Sequence, residues 1–589
     1  MSNQQVAKLF RNIAAAYTIK DDKKFRFQIL AYQKAAETIA NSPIELSDLY
    51  HEGKLESMPS IGATLKDRLE ELFKKGHVDH FDFVLKGIPE AIFTLIDIPK
   101  FGPKTAYRLA IEFSLKNSES SVEELIKLAQ EGKIAKLEGF GEKSQKDLLQ
   151  SLIEYKKGKN KSSRMVLPFA YEIAENILKY LKESKHVTKV FPLGSLRRMK
   201  PTIGDVDIAV ASDNPKEVIS HFVNYPYKDR VIEKGDVSAS ILASNGKQID
   251  LMVQPTDRFG ALLQHFTGSK EHNVHLREYA LKKGLSLSER GIKHLKINSN
   301  DIAKYDTEEK FYNALGLQWI PPEMREDSGE IELASQHKLP KIIELSDIKG
   351  DFHLHSNFSI EPSHDLGQST FEEMIKKAIS LNYEYMGFSE HNPSISKHTK
   401  QQIYSLIQKR NEKINQLQSN NKNIRIFKFL EIDILSSGDL AVDNRSLDLL
   451  DGAIVSIHSS FGTNKKDMTN RIIQGLSHPK AKILAHPTGR ILNVRPGYEL
   501  DFEKIFTFCK ENNKALEINA WPTRLDLTDS VVRLAIEAGV KLIIDTDSHE
   551  ASQMSLMKHG VAMARRGWAT KNDIINSLRY NDIVKWLKK

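Results

Sequence analysis

Two sets of residues in this 589-residue chain have the types and spacing for chemistry. In the middle, Asp205 and Asp207 stand two apart in Gly204-Asp205-Val206-Asp207-Ile208-Ala209-Val210, and Asp250 sits inside the apolar run Lys247 to Val253. Residues two apart on a strand face the same side, so the first pair aims two carboxylates at one point. A third carboxylate on a neighbouring strand would repel them unless cations lay between, and hard oxygen ligands favour Mg²⁺ or Mn²⁺. Two such ions, about 3.5–4 Å apart, activate an attacking hydroxyl and stabilise a leaving oxygen. Upstream, Gly194-Ser195-Leu196-Arg197-Arg198 forms a turn whose backbone N–H and hydroxyl can hold a triphosphate, with Arg198 adding charge. A lone Asp-x-Asp is more often a solvent-facing strand end; the turn and the third aspartate shift the weight toward a site.

The second set is C-terminal. His353 and His355 share one strand face, and His391, Glu431, His458, His486, Asp547 and His549 each lie at or just past the end of an apolar run. One histidine in such a place is usually structural. Six, with two acids, on successive strand ends imply a metal centre, because the strand ends of a barrel converge on one mouth. The single cysteine, Cys509, excludes disulfides and thiolate zinc sites, so any metal is held by His, Asp and Glu.

The elements that must position these residues follow from periodicity. Residues 1–160 read as helical, with apolar positions at helical spacing in Val6, Leu9, Phe10 and Ile13 and again in Phe27, Leu30, Ala31 and Ala35. Three turns interrupt them, MPSIGATLKDRL (58–69), DIPKFGPKTAYRL (97–109) and LEGFGEKSQKDLL (137–149), each opening into a helix. Gly62, Gly102, Gly139 and Gly141 let a ligand approach the backbone, and a helix start presents unpaired N–H groups, so each turn can cradle a phosphate regardless of base sequence. YKKGKNKSSR (155–164) reads as a basic linker, and Pro321 to Lys341 as a Pro-rich, charged junction. Over 346–589 short apolar runs alternate with helices, which implies a parallel sheet or a β/α barrel. A net charge of +8 fits a polyanionic partner. The absence of a bilayer-length apolar run or a leader pattern points to a cytoplasmic protein.

The glycine turns resemble helix–hairpin–helix motifs, which grip DNA backbones. With GS-x-RR, GD-x-D, the third aspartate and His265-Phe266-Thr267-Gly268-Ser269, residues 1–320 resemble DNA polymerases of family X. That resemblance implies that Asp205, Asp207 and Asp250 hold two metals, with Asp250 at or beside the base for the primer 3′-hydroxyl. It places Ser195, Arg198 and Arg164 on the nucleotide phosphates, and Phe266 and Gly268 beside the sugar. Asn273 and Arg277 fall near the nascent base pair. Two departures stand out. His265 replaces the family's tyrosine, leaving sugar selectivity open. Arg68 occupies the position of the lysine with which some members form a Schiff base, and a guanidinium cannot be that nucleophile.

Residues 346–589 resemble the PHP (polymerase and histidinol phosphatase) family. This implies a distorted seven-stranded β/α barrel holding up to three ions of Mn²⁺ or Zn²⁺, and 3′→5′ exonuclease or 3′-end phosphoesterase chemistry, in some relatives with abasic-site endonuclease activity. The family's Ser-Asp-Gly after the second histidine is replaced by Ser359-Ile360-Glu361-Pro362-Ser363-His364-Asp365, so the missing acid is Glu361 or Asp365; Pro362 restricts Glu361, which favours Asp365. Before His391 stands Glu390, where many members have Asp.

The fold expected is multidomain, α+β and α/β. A helix–hairpin–helix domain (1–82) and a fingers-like helical domain (83–160) precede a nucleotidyltransferase palm (161–258), a thumb (259–320), a linker (321–345) and the PHP barrel (346–589). The function expected is a gap-filling repair polymerase with 3′-end processing. Its partners would be gapped or nicked DNA and dNTPs, with no membrane, and it would act as a monomer. A small-molecule phosphatase with a disused polymerase half, or a non-enzymatic DNA scaffold, are the competing classes; the DNA-gripping turns oppose the first and the intact ligand sets the second.

Overall fold

Helical periodicity in the first 156 residues is realised as helices around two separate apolar cores. The computed structural model describes residues 1, 3–41, 46–51, 53, 55–57, 61–98, 101–115, 117, 120–156, 164–244, 246–295 and 301–588. One core gathers Phe10, Ile13, Tyr32, Leu69 and Phe81; the other gathers Ile92, Phe101, Leu109, Leu125 and Leu152. The second helix, Arg26–Asn41, corrects the expected register. Phe27, Leu30 and Ala31 are exposed, and Ile29, Tyr32, Ala35, Ala36 and Ile39 face inward. Tyr32 packs edge-on against Phe10 and Phe81, and those aromatic contacts set which face is buried. Met58, Pro59 and Ser60 of the first glycine turn, Pro99 and Lys100 of the second, and residues 157–163 of the basic stretch lie outside the described residues.

Contacts group the chain into two compact units, residues 1–165, 172–191 and 204–254 in one and 166–171, 192–203 and 255–589 in the other. The first unit carries a five-stranded sheet of β1 (Lys189–Pro192), β2 (Val206–Ala211), β3 (Lys228–Lys234), β4 (Ser238–Ala243) and β5 (Gln248–Gln254), in the order β1-β2-β5-β4-β3. β2 and β5 run parallel, and β4 and β3 are antiparallel additions. β2 is apolar over Ile208–Ala211 because that stretch is buried on both faces.

In the second unit a cluster built on Leu276, Phe311, Tyr312, Leu317 and Ile320 also takes in Met324, Ile331, Ala334, Ile342 and Trp568. The segment 321–345, expected to be a linker, is therefore packed structure with short helices and fully buried Arg325 and Glu330. Arg325 and Glu330 do not face water as linker charges would, because they pair with Glu308 and His272. Beyond it, parallel strands β6 (Gly350–Asp351), β7 (Tyr385–Phe388) and β8 (Arg425–Lys428) form one sheet; β9 (Glu431–Asp433), β10 (Ala453–Ser456), β11 (Ala481–Leu484), β12 (Ala515–Asn519) and β13 (Lys541–Asp545) form another. Bridges His391–Glu431 and Leu354–Ser548 join their edges. With β8 and β9 as one interrupted strand, this is a distorted seven-stranded barrel. Phe352, Phe429, Ile454, Ile483 and Ile543 fill its interior, with Trp586 of the last helix packed on them. No described helix is long and apolar enough to cross a membrane.

Candidate functional site

The first two glycine turns bury an apolar residue, and all three surface their glycines. Ile61 and Phe101 are buried, whereas Gly62, Gly102, Gly139 and Gly141 are exposed. Gly62 and Gly102 are the N-caps of Ala63–Lys75 and Pro103–Glu112, and Gly141 precedes Glu142–Lys156. Nothing lies within 4 Å of the space a side chain would occupy at Gly62, Gly102 or Gly141. The helix-start amides are thus open to an anion. Gly139 has φ 77°, a left-handed conformation, and Arg108 lies against it. A cavity of about 430 Å³ between the second and third turns is lined by Lys104, Arg108, Gly139, Phe140 and Ser144. In the first helical region Arg68 lies 3.7 Å from Glu71, and Lys66 is paired with Glu56, whose hydrogen bond raises the lysine's pKa.

In the sheet, Asp207 of β2 sits directly across from Asp250 of β5, and Asp205 lies in the bend just before β2. Gln248 donates its amide to both carboxylate oxygens of Asp250, at 3.0 and 3.1 Å, which fixes that carboxylate's orientation. Burial pushes Lys247 down, against an opposing pull from Asp205. Arg164 lies against Gly204, one residue before Asp205. Two half-buried carboxylates at one level of adjacent strands suit a divalent cation better than each other.

In the second unit Gly194 (φ 56°) starts the short helix Gly194–Arg197 that carries Ser195. Arg197 is locked by Glu308 (2.9 and 2.6 Å) and Thr267 (2.6 Å). Arg198 donates Nε to Glu326 (3.0 Å) and NH1 to the carbonyl of Thr267. A side chain at Gly268 would strike Arg198 NH1 at 2.9 Å, so glycine makes room for the guanidinium. Phe266 ends the helix Phe259–Thr267 beside His265, edge to face at 4.8 Å. Asn273 donates to the carbonyl of His265 (2.7 Å), and Arg277 lies 3.3 Å from the His265 ring. Burial and then Arg277 hold His265 below the usual imidazole range, so the ring is neutral at pH 7.

At the barrel mouth the histidines close around Glu431. Its carboxylate faces His353 Nε2 (3.2 Å), His355 Nε2 (3.5 Å), His391 Nδ1 (3.0 Å), His458 Nε2 (3.3 Å) and His486 Nε2 (3.0 Å). Asp547 adds contacts at 3.5 and 3.4 Å to His353 and His355. Asp365 bridges His391 (3.4 Å) and His549 (3.5 Å), whereas Glu361 turns away to His398 at 2.9 Å. Buried His353 Nε2, His355 Nε2, His391 Nδ1 and His549 Nε2 have no hydrogen-bond partner despite these approaches. Donors about 2.1 Å from a shared ion stand roughly 3.0–3.4 Å apart, so the spacing is that of ligand edges. His486 and Asp547 both have positive φ, 29° and 55°, a backbone strain of the sort found at functional sites.

Four further residues complete this arrangement. Glu517 accepts from His353 Nδ1 at 2.5 Å and Asp433 from His458 Nδ1 at 2.7 Å, which turns the other ring nitrogen of each inward. His364 lies 2.9 Å from Asp433, and His364, Asp433 and His458 form a group of donors close enough to share an ion. Asn519 contacts both Glu517 and Asp547. Asp433 was findable as the residue two beyond Glu431 on one strand, and Glu517 as the acid inside the apolar run ALEIN; no periodicity marks His364 or Asn519. Burial, then the neighbouring His549, pushes His355 down to about 3. Burial, then Arg524, does the same to His486, so both rings are neutral lone-pair donors. Burial opposes but does not overcome the pull of Glu431 and Asp433, which raises His458 to about 9.

Comparison with known proteins gives three family matches: a helix-hairpin-helix domain over residues 1–78, the DNA polymerase beta thumb over 262–326, and the PHP domain over 351–520. The chain is 32% identical over its whole length, and the whole of the relative's, to the DNA polymerase/3′-5′ exonuclease PolX of Bacillus subtilis. It is 24% identical to DNA polymerase lambda of Rattus norvegicus across 55% of this chain and 56% of that one. A probable phosphatase of Acetivibrio thermocellus is 27% identical over 31% of this chain and 73% of its own.

Proposed function

The chain belongs to the PolX family of DNA polymerase/3′-5′ exonucleases, and on that premise we propose that it fills short gaps during DNA repair and trims or cleans 3′ ends with its PHP barrel. The observation that carries this reading is that each unit holds its own ligand set: Asp207 level with Asp250 in one, and five histidine rings around Glu431 in the other. Divalent ions, Mg²⁺ or Mn²⁺ at the aspartates and Mn²⁺ or Zn²⁺ at the histidine centre, would supply Lewis acidity and acidify water.

The chain's own groups do the rest. Asp205, Asp207 and Asp250 hold the cations of the polymerase site, and Asp250, oriented by Gln248, accepts or passes on the proton of the primer 3′-hydroxyl. Ser195 and Arg198 meet the nucleotide phosphates at the Gly194 turn, and Arg164, beside Gly204, is a further phosphate contact. Phe266 and Gly268 flank the sugar, where neutral His265 screens it in place of a phenol, and Asn273 and Arg277 meet the nascent pair. His353, His355, Asp365, His391, Glu431, His458, His486, Asp547 and His549 hold the cations of the PHP site, with His364 and Asp433 available to a third. Gly62, Gly102, Gly139 and Gly141 carry the backbone cradles for DNA. The likeness to a probable phosphatase supports phosphoester hydrolysis at the barrel, and we extend that reading to terminal 3′-phosphates and abasic-site cleavage. A gapped duplex labelled on the primer's 3′ side, incubated with Mg²⁺ or Mn²⁺, is expected to be extended with dNTPs and shortened without them. No extension under either metal would refute the polymerase assignment.

A further inference from the structure

The helix Met557–Arg566, which packs on the PHP barrel, ends in Arg566, a side chain only 1% exposed. Its NH1 donates to the backbone carbonyl of Arg198 at 2.7 Å and to Glu326 Oε1 at 3.0 Å, and its NH2 pairs with Asp529 of the barrel helix Asp529–Ala538. The same Glu326 oxygen receives Arg198 Nε at 3.0 Å, and its other oxygen receives Lys200 at 3.1 Å. One residue earlier, Arg565 pairs with Glu323 at 2.7 Å, and His559 packs edge-on against Tyr171. The PHP part of the chain is thus fastened to the Gly-Ser-x-Arg-Arg turn through a buried charge network.

Three cations, Arg198, Lys200 and Arg566, share two carboxylates, Glu326 and Asp529. The network carries one more cation than carboxylates at a partly buried turn, where Lys200 is 37% and Arg198 11% exposed, a balance that an anionic ligand would complete. We propose that Arg566 is a positioning residue for nucleotide binding: it pins the Arg198 carbonyl and Glu326 so that the Arg198 guanidinium is preset for the incoming triphosphate. The inference rests on the reading above that Arg198 meets the nucleotide phosphates. It makes the PHP part of the chain a structural component of the polymerase site. A residue that presets a ligand contact lowers KM more than it raises kcat.

The test is single-nucleotide incorporation by the full-length protein on gapped DNA, with kcat and KM for dNTP measured for Arg566→Gln, Arg566→Lys, Arg198→Gln and the double glutamine variant. Arg566→Gln should raise KM about tenfold with kcat within a few-fold, as loss of a charge-assisted hydrogen bond does. Arg566→Lys should recover part of that loss, and the double variant should be no worse than Arg198→Gln, because the two act as one unit. Exonuclease activity should be unchanged by Arg566→Lys. If Arg566→Gln does not fold, Asp529→Asn, which frees Arg566 from its barrel anchor, should raise KM severalfold. An unchanged KM in Arg566→Gln beside a raised one in Arg198→Gln overturns the positioning role alone, as do additive effects in the double variant. An unchanged KM in Arg198→Gln overturns the phosphate reading itself, and the inference with it.

Discussion

Replacing Glu308 by Gln should remove the charge that holds the nucleotide turn to the thumb. Glu308 is 4% exposed and lies in the first helical turn after Thr307, where a helix favours an anion. Its two oxygens receive Arg197 at 2.9 and 2.6 Å and Arg325 at 2.6 Å, and Trp319 Nε1 approaches at 3.4 Å. Burial alone would raise its pKa; Arg325 and Arg197 more than offset that and hold it down at about 2, against 4.5. Holding a carboxyl at about 2 against 4.5 corresponds to about 3 kcal/mol, and breaking a buried pair typically costs about 3–5 kcal/mol, so a loss of about 3 kcal/mol is expected. Because the folded pKa is depressed, this stabilisation is complete above about pH 4.5 and fades as pH falls toward 2. Urea unfolding followed by tryptophan fluorescence should therefore show a large wild-type advantage at pH 7 that narrows below pH 4.5. A loss under about 1 kcal/mol at pH 7, or a gap that does not narrow in acid, would refute the reasoning.

Other outcomes follow from the same geometry. Asp365→Asn should lower metal content and exonuclease rate at least roughly tenfold while sparing nucleotide addition, and Glu361→Gln, which loses only the His398 contact, should do neither; full metal content in Asp365→Asn would exclude that residue as a ligand. Borohydride trapping on an incised abasic duplex should give no strong adduct in the first 156 residues, since Arg68 cannot form a Schiff base and Lys66 is held charged by Glu56; a mapped adduct at Lys66 would reverse this. Gly141→Val has room to fold but puts a side chain where a phosphate would approach, so DNA affinity should fall roughly tenfold with an unchanged melting temperature; unchanged affinity would remove that turn from the DNA interface.

Asp207 and Asp250 were legible because their apolar strand setting marks them, whereas Asp205 falls in the bend ahead of the strand, where a period of two does not apply; the histidines were legible because barrel strands end together. The first helix–hairpin–helix turn, the thumb and the barrel were legible through motifs. The register of Arg26–Asn41 was not, because its aromatic partners come from Phe10 and Phe81, far away in sequence. Nor was the packed segment 321–345: its charges look like a solvated linker until Glu308 and Arg325, or Glu330 and His272 at 2.6 Å, are seen to neutralise each other. Arg566 lies 368 residues from Arg198, and no local pattern records a contact between them. Glu517 and Asp433 lie within runs that mark strands, but orienting a histidine through its far nitrogen leaves no spacing signature.

The most direct test of two ligand sets with two chemistries is a pair of variants on one gapped, 3′-labelled duplex. Asp207→Asn should abolish nucleotide addition and leave exonuclease activity within a few-fold of wild type, and His353→Ala should abolish exonuclease activity and leave nucleotide addition within the same range. Loss of exonuclease activity in a correctly folded Asp207→Asn protein, or of nucleotide addition in a correctly folded His353→Ala protein, would contradict the account.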